Sequence, residues 1–161
     1  MNDQNFTVSV TIDRGPAEVF AAVLDPRGWW GADIEGDTEK AGDIFDYEVP
    51  GVHRCRIELT EVAPDRKVVW LVRENRMSFI SDQTEWVNNE IHFDIAETDG
   101  GTELRFTQIG LVPANECYEA CSPAWTYYVT QSLRDLATTG IGRPNQLPGQ
   151  DAAIAAVQGT W

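Results

Sequence analysis

The cysteines and histidines of this chain are its most chemically versatile residues. Cys117 and Cys121 stand four apart, a spacing that puts both thiols on one face of a helix. Together with Cys55, His53 or His92 they offer the donor types that hold zinc. The pattern argues against it, because there is no C-x-x-C pair and no second spaced pair. Buried, reduced thiols are the expectation, and no metal is assigned. A nucleophilic thiol needs a neighbouring cation to lower its pKa, and the sequence places none nearby. His53 and His92 titrate in the range useful for acid–base work, but nothing in the sequence brings them together. Asp33, Glu35, Asp37 and Glu39 alternate along an acidic loop without the spacing or terminal Glu of a calcium loop. Gly100-Gly101 and Gly140 with Gly142 are turn and cap glycines, not followed by the Lys-Ser/Thr of a phosphate loop. No catalytic residue and no cofactor is predicted.

The elements that must position these residues are legible from periodicity. Residues 6–13 alternate, with Phe6, Val8, Val10 and Ile12 on one face, as in a half-buried strand. Gly15-Pro16 opens a helix with Val19, Phe20, Val23 and Leu24 on its apolar side, and Asp25-Pro26 ends it. Residues 27–43 carry Trp29-Trp30 and then the acidic loop. Strands are expected over 44–49, 55–62, 67–73, 86–96 and 102–109. Turns are expected at Ala63-Pro64-Asp65-Arg66 and Asp99-Gly100-Gly101. Val87, Ile91, Phe93 and Ile95 should point inward and His92 outward. Residues 112–121 read as a short helix or turn.

Residues 122–139 then read as one long helix, with Ser122 as its N-cap, Pro123 at its first position and Gly140 at its stop. Trp125, Val129, Ser132, Leu133 and Leu136 share a face, with Tyr128 beside them. The order predicts an α+β fold: a curved antiparallel sheet with helices on its concave side. Residues 1–144 are expected to form one domain. Residues 145–161 are expected to be a tail, either mobile or a short helix capped by Asp151.

Composition narrows the class of partner. The chain has 161 residues, 42% of them hydrophobic, and a formal net charge of −14. That charge argues against nucleic acid and anionic membrane surfaces, both polyanions. No apolar run is long enough to span a bilayer, and residues 1–6 lack the basic and apolar regions of a secretory signal. A cytoplasmic location with reduced cysteines is the expectation.

Several stretches, in order, resemble the START-like or Bet v 1-like (SRPBCC) superfamily of helix-grip domains. They are Ile12 to Phe20 with Asp25-Pro26 and Trp29-Trp30, Gly42-Asp43-Ile44-Phe45, and Glu61-Val62-Ala63-Pro64-Asp65-Arg66-Lys67-Val68-Val69-Trp70. Gly100-Gly101-Thr102-Glu103-Leu104-Arg105-Phe106 and Ser132-Leu133 with Thr139-Gly140-Ile141-Gly142-Arg143-Pro144 complete the set. Within that superfamily they are most similar to the group named after the C-terminal domain of the activator of the ninety-kilodalton heat-shock-protein ATPase. The resemblance covers roughly residues 6–144. It implies a helix-grip fold, with a curved sheet wrapped around a long C-terminal helix and a cavity between them suited to small hydrophobic ligands.

Trp29, Trp30, Phe45, Trp70, Phe93, Phe106, Trp125, Tyr128 and Val129 are the candidate lining, with Ser132, Gln108 and Cys55 as possible inner polar groups. The expected function is binding of a small lipid-like or aromatic molecule. Two alternatives follow from the resemblance. One is a co-chaperone-like module, docking through an exposed apolar patch around Trp86 or Trp161. The other is a polyketide cyclase or aromatase, which needs a titratable group inside the cavity.

Overall fold

The computed structural model describes residues 5–31 and 33–144. The expected tail, with Asp151 and Trp161, lies outside the described residues. Strand β1 (Phe6–Ile12) leads through Gly15 into helix α1 (Pro16–Val23), with Pro16 at the first helical position. The chain then runs through helix α2 (Pro26–Trp29), β2 (Ile34–Gly36), β3 (Ile44–Val49), β4 (His53–Ala63), β5 (Lys67–Met77), β6 (Glu90–Thr98) and β7 (Gly101–Ile109). Helix α3 (Tyr118–Tyr127) continues through a π-helical segment (Tyr128–Leu133) into α4 (Arg134–Thr139).

The seven strands of the described residues form one antiparallel sheet in the order β1-β7-β6-β5-β4-β3-β2. Two register breaks in the β4–β5 pairing, at Arg56/Ile57 and Leu59/Glu61, bend the longest strands, because a bulge adds local twist. The sheet curls around the helices, as the α+β helix-grip expectation requires. One apolar core lies between them, with Ile12, Val19, Trp29, Phe45, Ile57, Leu59, Phe93, Leu104, Phe106 and Val129 fully buried.

Several local expectations change. Ser122 is not an N-cap: the helix starts one turn earlier, with Cys117 at the cap. Ser122 Oγ instead donates to the Tyr118 carbonyl at 2.7 Å. Pro123 sits inside the helix, where it has no N–H to donate and its ring crowds the carbonyl four residues back. The earlier start is possible because a distant carboxylate, Glu85, accepts the N–H groups of Glu116 (2.6 Å) and Cys117 (3.1 Å).

The long helix is also not uniform. Its wider π turn brings Tyr128, Val129, Ser132 and Leu133 all to the buried side. Residues 27–43 contain α2 and the short edge strand β2, held by Arg27 donating to the carbonyls of Ile34 (2.9 Å) and Gly36 (2.7 Å). Strand β6 begins at Glu90, so Trp86 and Val87 belong to the connection before it. Gly140 ends α4 with φ of 86°, the left-handed stop its type predicts.

Candidate functional site

The nine predicted lining residues converge in one buried cluster between sheet and long helix, each at most 3% exposed. Alternation supplies the floor: Phe45 on β3, Trp70 on β5, Phe93 on β6 and Phe106 on β7 all point inward. Phe93 faces Phe106 across the β6–β7 register, with ring centroids 5.4 Å apart. Trp70 packs edge-on to Phe93 at 4.8 Å and to Phe45 at 5.2 Å.

Helix α2 sets Trp29 and Trp30 on this floor, Trp29 stacking on Trp70 at 6.1 Å. Trp125 descends from α3 to meet Phe106 at 4.6 Å and Trp30 at 4.9 Å. The result is a band of rings in edge-on, stacked and, around Trp125, tilted contact. Tyr128 and Val129 follow from the π turn.

Three further residues complete the band where periodicity had not placed them. Tyr47 stacks on Trp30 with centroids 3.8 Å apart and planes within 6°. His53 lies 5.4 Å from Tyr47 and 4.8 Å from Trp86, edge-on to both. Trp86 lies parallel to Trp125 at 5.9 Å, buried to 2% exposure. The period-two series Phe45, Tyr47, Val49 and His53, Cys55, Ile57, Leu59 carried the signal for the first two. For Trp86 no local pattern did.

The inner polar groups have defined partners. Gln108 accepts from Trp125 Nε1 at 2.8 Å and donates to Asn89 Oδ1 at 2.9 Å. Ser132 Oγ donates to the Trp29 carbonyl and accepts from the Arg143 N–H, each at 2.7 Å. It thereby pins α2 to the long helix. Gly142 is needed at this joint, since a Cβ there would lie 2.2 Å from the Gly28 carbonyl oxygen. Trp29 Nε1 and Asn75 Nδ2 are buried donors without a hydrogen-bond partner, each a cost unless something accepts from it.

Burial sets the ionisation of the site. His53 is pushed down to about 4, against the pull of its hydrogen bond to Asn75 Oδ1 at 2.7 Å. It is therefore neutral at pH 7. Burial likewise raises the Tyr47 phenol and the Cys55 thiol. The Cys121 thiol is raised because its proton is shared with Cys117, and the Cys117 thiol is lowered by that same hydrogen bond. Burial thus favours the uncharged forms of His53, Tyr47 and Cys55 within the ring cluster.

His92 sits on the sheet face opposite Ile91 and Phe93, bonded to Glu90 at 2.9 Å, so the two histidines are not brought together. All three cysteines are buried and free. Among the described residues no group of three or more His, Cys, Asp and Glu side chains is arranged to hold a metal ion. Likewise, no helix among them is long and apolar enough to cross a membrane.

A family model described as Activator of Hsp90 ATPase homolog 1-like protein matches residues 13–138. No curated protein matches the chain. The solution structure of the Aha1 dimer from Colwellia psychrerythraea has a similar fold, with TM-score 0.70 and 22% identity, over 86% of this chain and 98% of that one. Protein MLL2253 from Mesorhizobium loti aligns with TM-score 0.65 and 18% identity, over 78% and 91%. SSP2350 from Staphylococcus saprophyticus aligns with TM-score 0.63 and 14% identity, over 86% and 94%.

Proposed function

We propose, from the premise that this chain belongs to the Activator of Hsp90 ATPase homolog 1-like protein family, that it binds a small, uncharged, flat apolar molecule between sheet and long helix. The observation that carries this reading is the continuous band of rings from Phe106 through Trp125 and Trp30 to Tyr47. Such a band offers stacking faces to a planar guest, and sites for apolar ligands pair aromatic walls with a few polar groups. Neutral His53 adds no charge that would repel the guest. The unpartnered N–H of Trp29 gives a ligand oxygen or nitrogen one directional contact. The π turn supports the same reading, because such turns gather at functional positions.

The test is titration with N-phenyl-1-naphthylamine, a neutral fluorophore that brightens in apolar surroundings. A saturable, single-site rise is expected, reduced by Trp125→Ala. A linear response from protein that is folded by circular dichroism sinks the reading.

The family description also motivates a co-chaperone-like reading. The docking patch expected around Trp86 does not support it, because that side chain is buried. An unchanged ATPase rate of the cognate chaperone in the presence of this protein would remove it.

A further inference from the structure

We propose that residues 78–89, the connection from β5 to β6, form a gate over one end of the aromatic cleft, with the Trp86 indole as its plug. The inference rests on the cleft reading above and adds a ligand class to it. The seat Trp86 fills is bounded by the parallel ring of Trp125 and the edge of His53. What replaces the indole there is a flat aromatic of about two fused rings.

The segment is built to move as a unit. Its roots are held by the Ser78 N–H to the Val52 carbonyl at 3.0 Å and the Asn88 N–H to the Val72 carbonyl at 2.8 Å. Asn88 has φ of 69°, a left-handed conformation for a residue with a side chain, and it stands where a hinge would turn. Gln83 folds the segment back onto its root, accepting from the N–H of Met77 at the end of β5 and donating to the carbonyls of Met77 and Ile80, all at 2.7–2.8 Å. Asp82 accepts from the N–H and hydroxyl of Thr84.

A reciprocal latch ties this piece to the start of the long helix. The Glu85 carboxylate accepts from the N–H groups of Glu116 and Cys117, at 2.6 and 3.1 Å. In return, the Glu116 carboxylate accepts from the N–H groups of Ser81 and Asp82, at 3.0 and 2.8 Å. These charge-assisted bonds are the stronger kind, and they sit at the rim where water can replace them.

The plug is held less firmly than its neighbour. Trp86 Nε1 faces only the weak sulfur acceptors of Cys117 and Cys121, whereas Trp125 Nε1 donates to the Gln108 side-chain oxygen. Opening therefore gives up only weak N–H···S contacts at the Trp86 ring and hydrates its N–H. Behind the plug lie the thiols of Cys117 and Cys121, at 0% and 6% exposure, both beside the Trp86 indole. They report on the gate. Cys55, on the interior strand β4, does not share that position.

The experiment compares wild type with Glu85→Ala and Glu116→Ala by N-ethylmaleimide labelling, read at each cysteine by mass spectrometry. Removing either carboxylate is expected to speed labelling of Cys117 and Cys121 about tenfold, with Cys55 unchanged. Apparent affinity for N-phenyl-1-naphthylamine and for indole should rise by a similar factor, about tenfold, as the open state becomes more populated. Glu85→Gln, which keeps an acceptor oxygen and loses the charge, should fall between. An equal rise at all three cysteines would signal general loosening and overturn the gate. Unchanged labelling with unchanged fluorophore binding overturns the gate and leaves the cleft reading standing. Faster labelling of Cys117 and Cys121 with no binding in any variant supports the moving gate and overturns the ligand it was to admit.

Discussion

The two faces of strands β3 to β5 are built on opposite principles. On the inner face of β4, His53, Cys55, Ile57 and Leu59 are buried against rings. On its outer face, Arg54, Arg56 and Glu58 form charged ladders. Arg56 bonds Asp46 on β3 at 2.9 Å and reaches Glu74 on β5 at 3.8 Å; Arg54 reaches Glu48 at 3.6 Å; Glu58 pairs with Arg73. Most of these outer side chains are about half exposed, so solvent screens their attraction and each pair adds little to stability. The inner rings exclude water and interlock, so each one is felt by its neighbours. One strand thus carries a face that holds the fold and another whose charges serve solubility and register.

The sharpest way to break this comparison is Trp70→Ala, which removes the ring shared by Trp29, Trp30, Phe45 and Phe93. A loss of about 3–5 kcal/mol is expected from a hole of this kind, measured by urea unfolding. A cost near 1 kcal/mol would mean that the inner face is loosely packed.

Acid should distinguish the faces next. His53 has a folded pKa of about 4, against 6.5 when unfolded. Above pH 6.5 the ring is neutral in both states and its contribution is constant. As pH falls from 6.5 toward 4 the unfolded chain takes up the proton first, so stability declines, by at most about 3 kcal/mol. Carboxylates add their own slope below pH 5, so His53→Gln is the reference. Its unfolding midpoint should be flatter between pH 6.5 and 5, and a slope equal to wild type would contradict the burial of this ring.

The smallest effect belongs to the outer face. Arg56→Ala should leave the urea unfolding midpoint close to that of wild type, and any small shift should shrink further in high salt. A loss comparable to Trp70→Ala would overturn the contrast.

Much of this architecture is legible in the chain before any coordinates. Alternation in residues 44–49 and 102–109 identifies the inward Phe45 and Phe106, and Gly140 marks the helix stop. The helix starts earlier than Ser122-Pro123 indicates, because that sound local signal is overridden by distant groups. Glu85 caps N–H groups more than thirty residues away, and no window of sequence contains both partners. The place of Trp86 is illegible locally for a related reason: its neighbours His53 and Trp125 come from β4 and α3, and nothing within residues 78–89 repeats with a period.

The sequence by itself determined the order of the main strands and helices apart from α2 and β2, the antiparallel α+β class and most of the faces that turn inward, because these follow from side-chain period and turn chemistry within short windows. Tertiary structure alone decided which rings touch. The β4 bulges set the curvature that brings Tyr47 onto Trp30, the π turn delivers Ser132 to the Trp29 carbonyl, and the latch seats Trp86 beside His53. Each depends on contacts between segments far apart in the chain, whose geometry exists only once the sheet has closed around the helix.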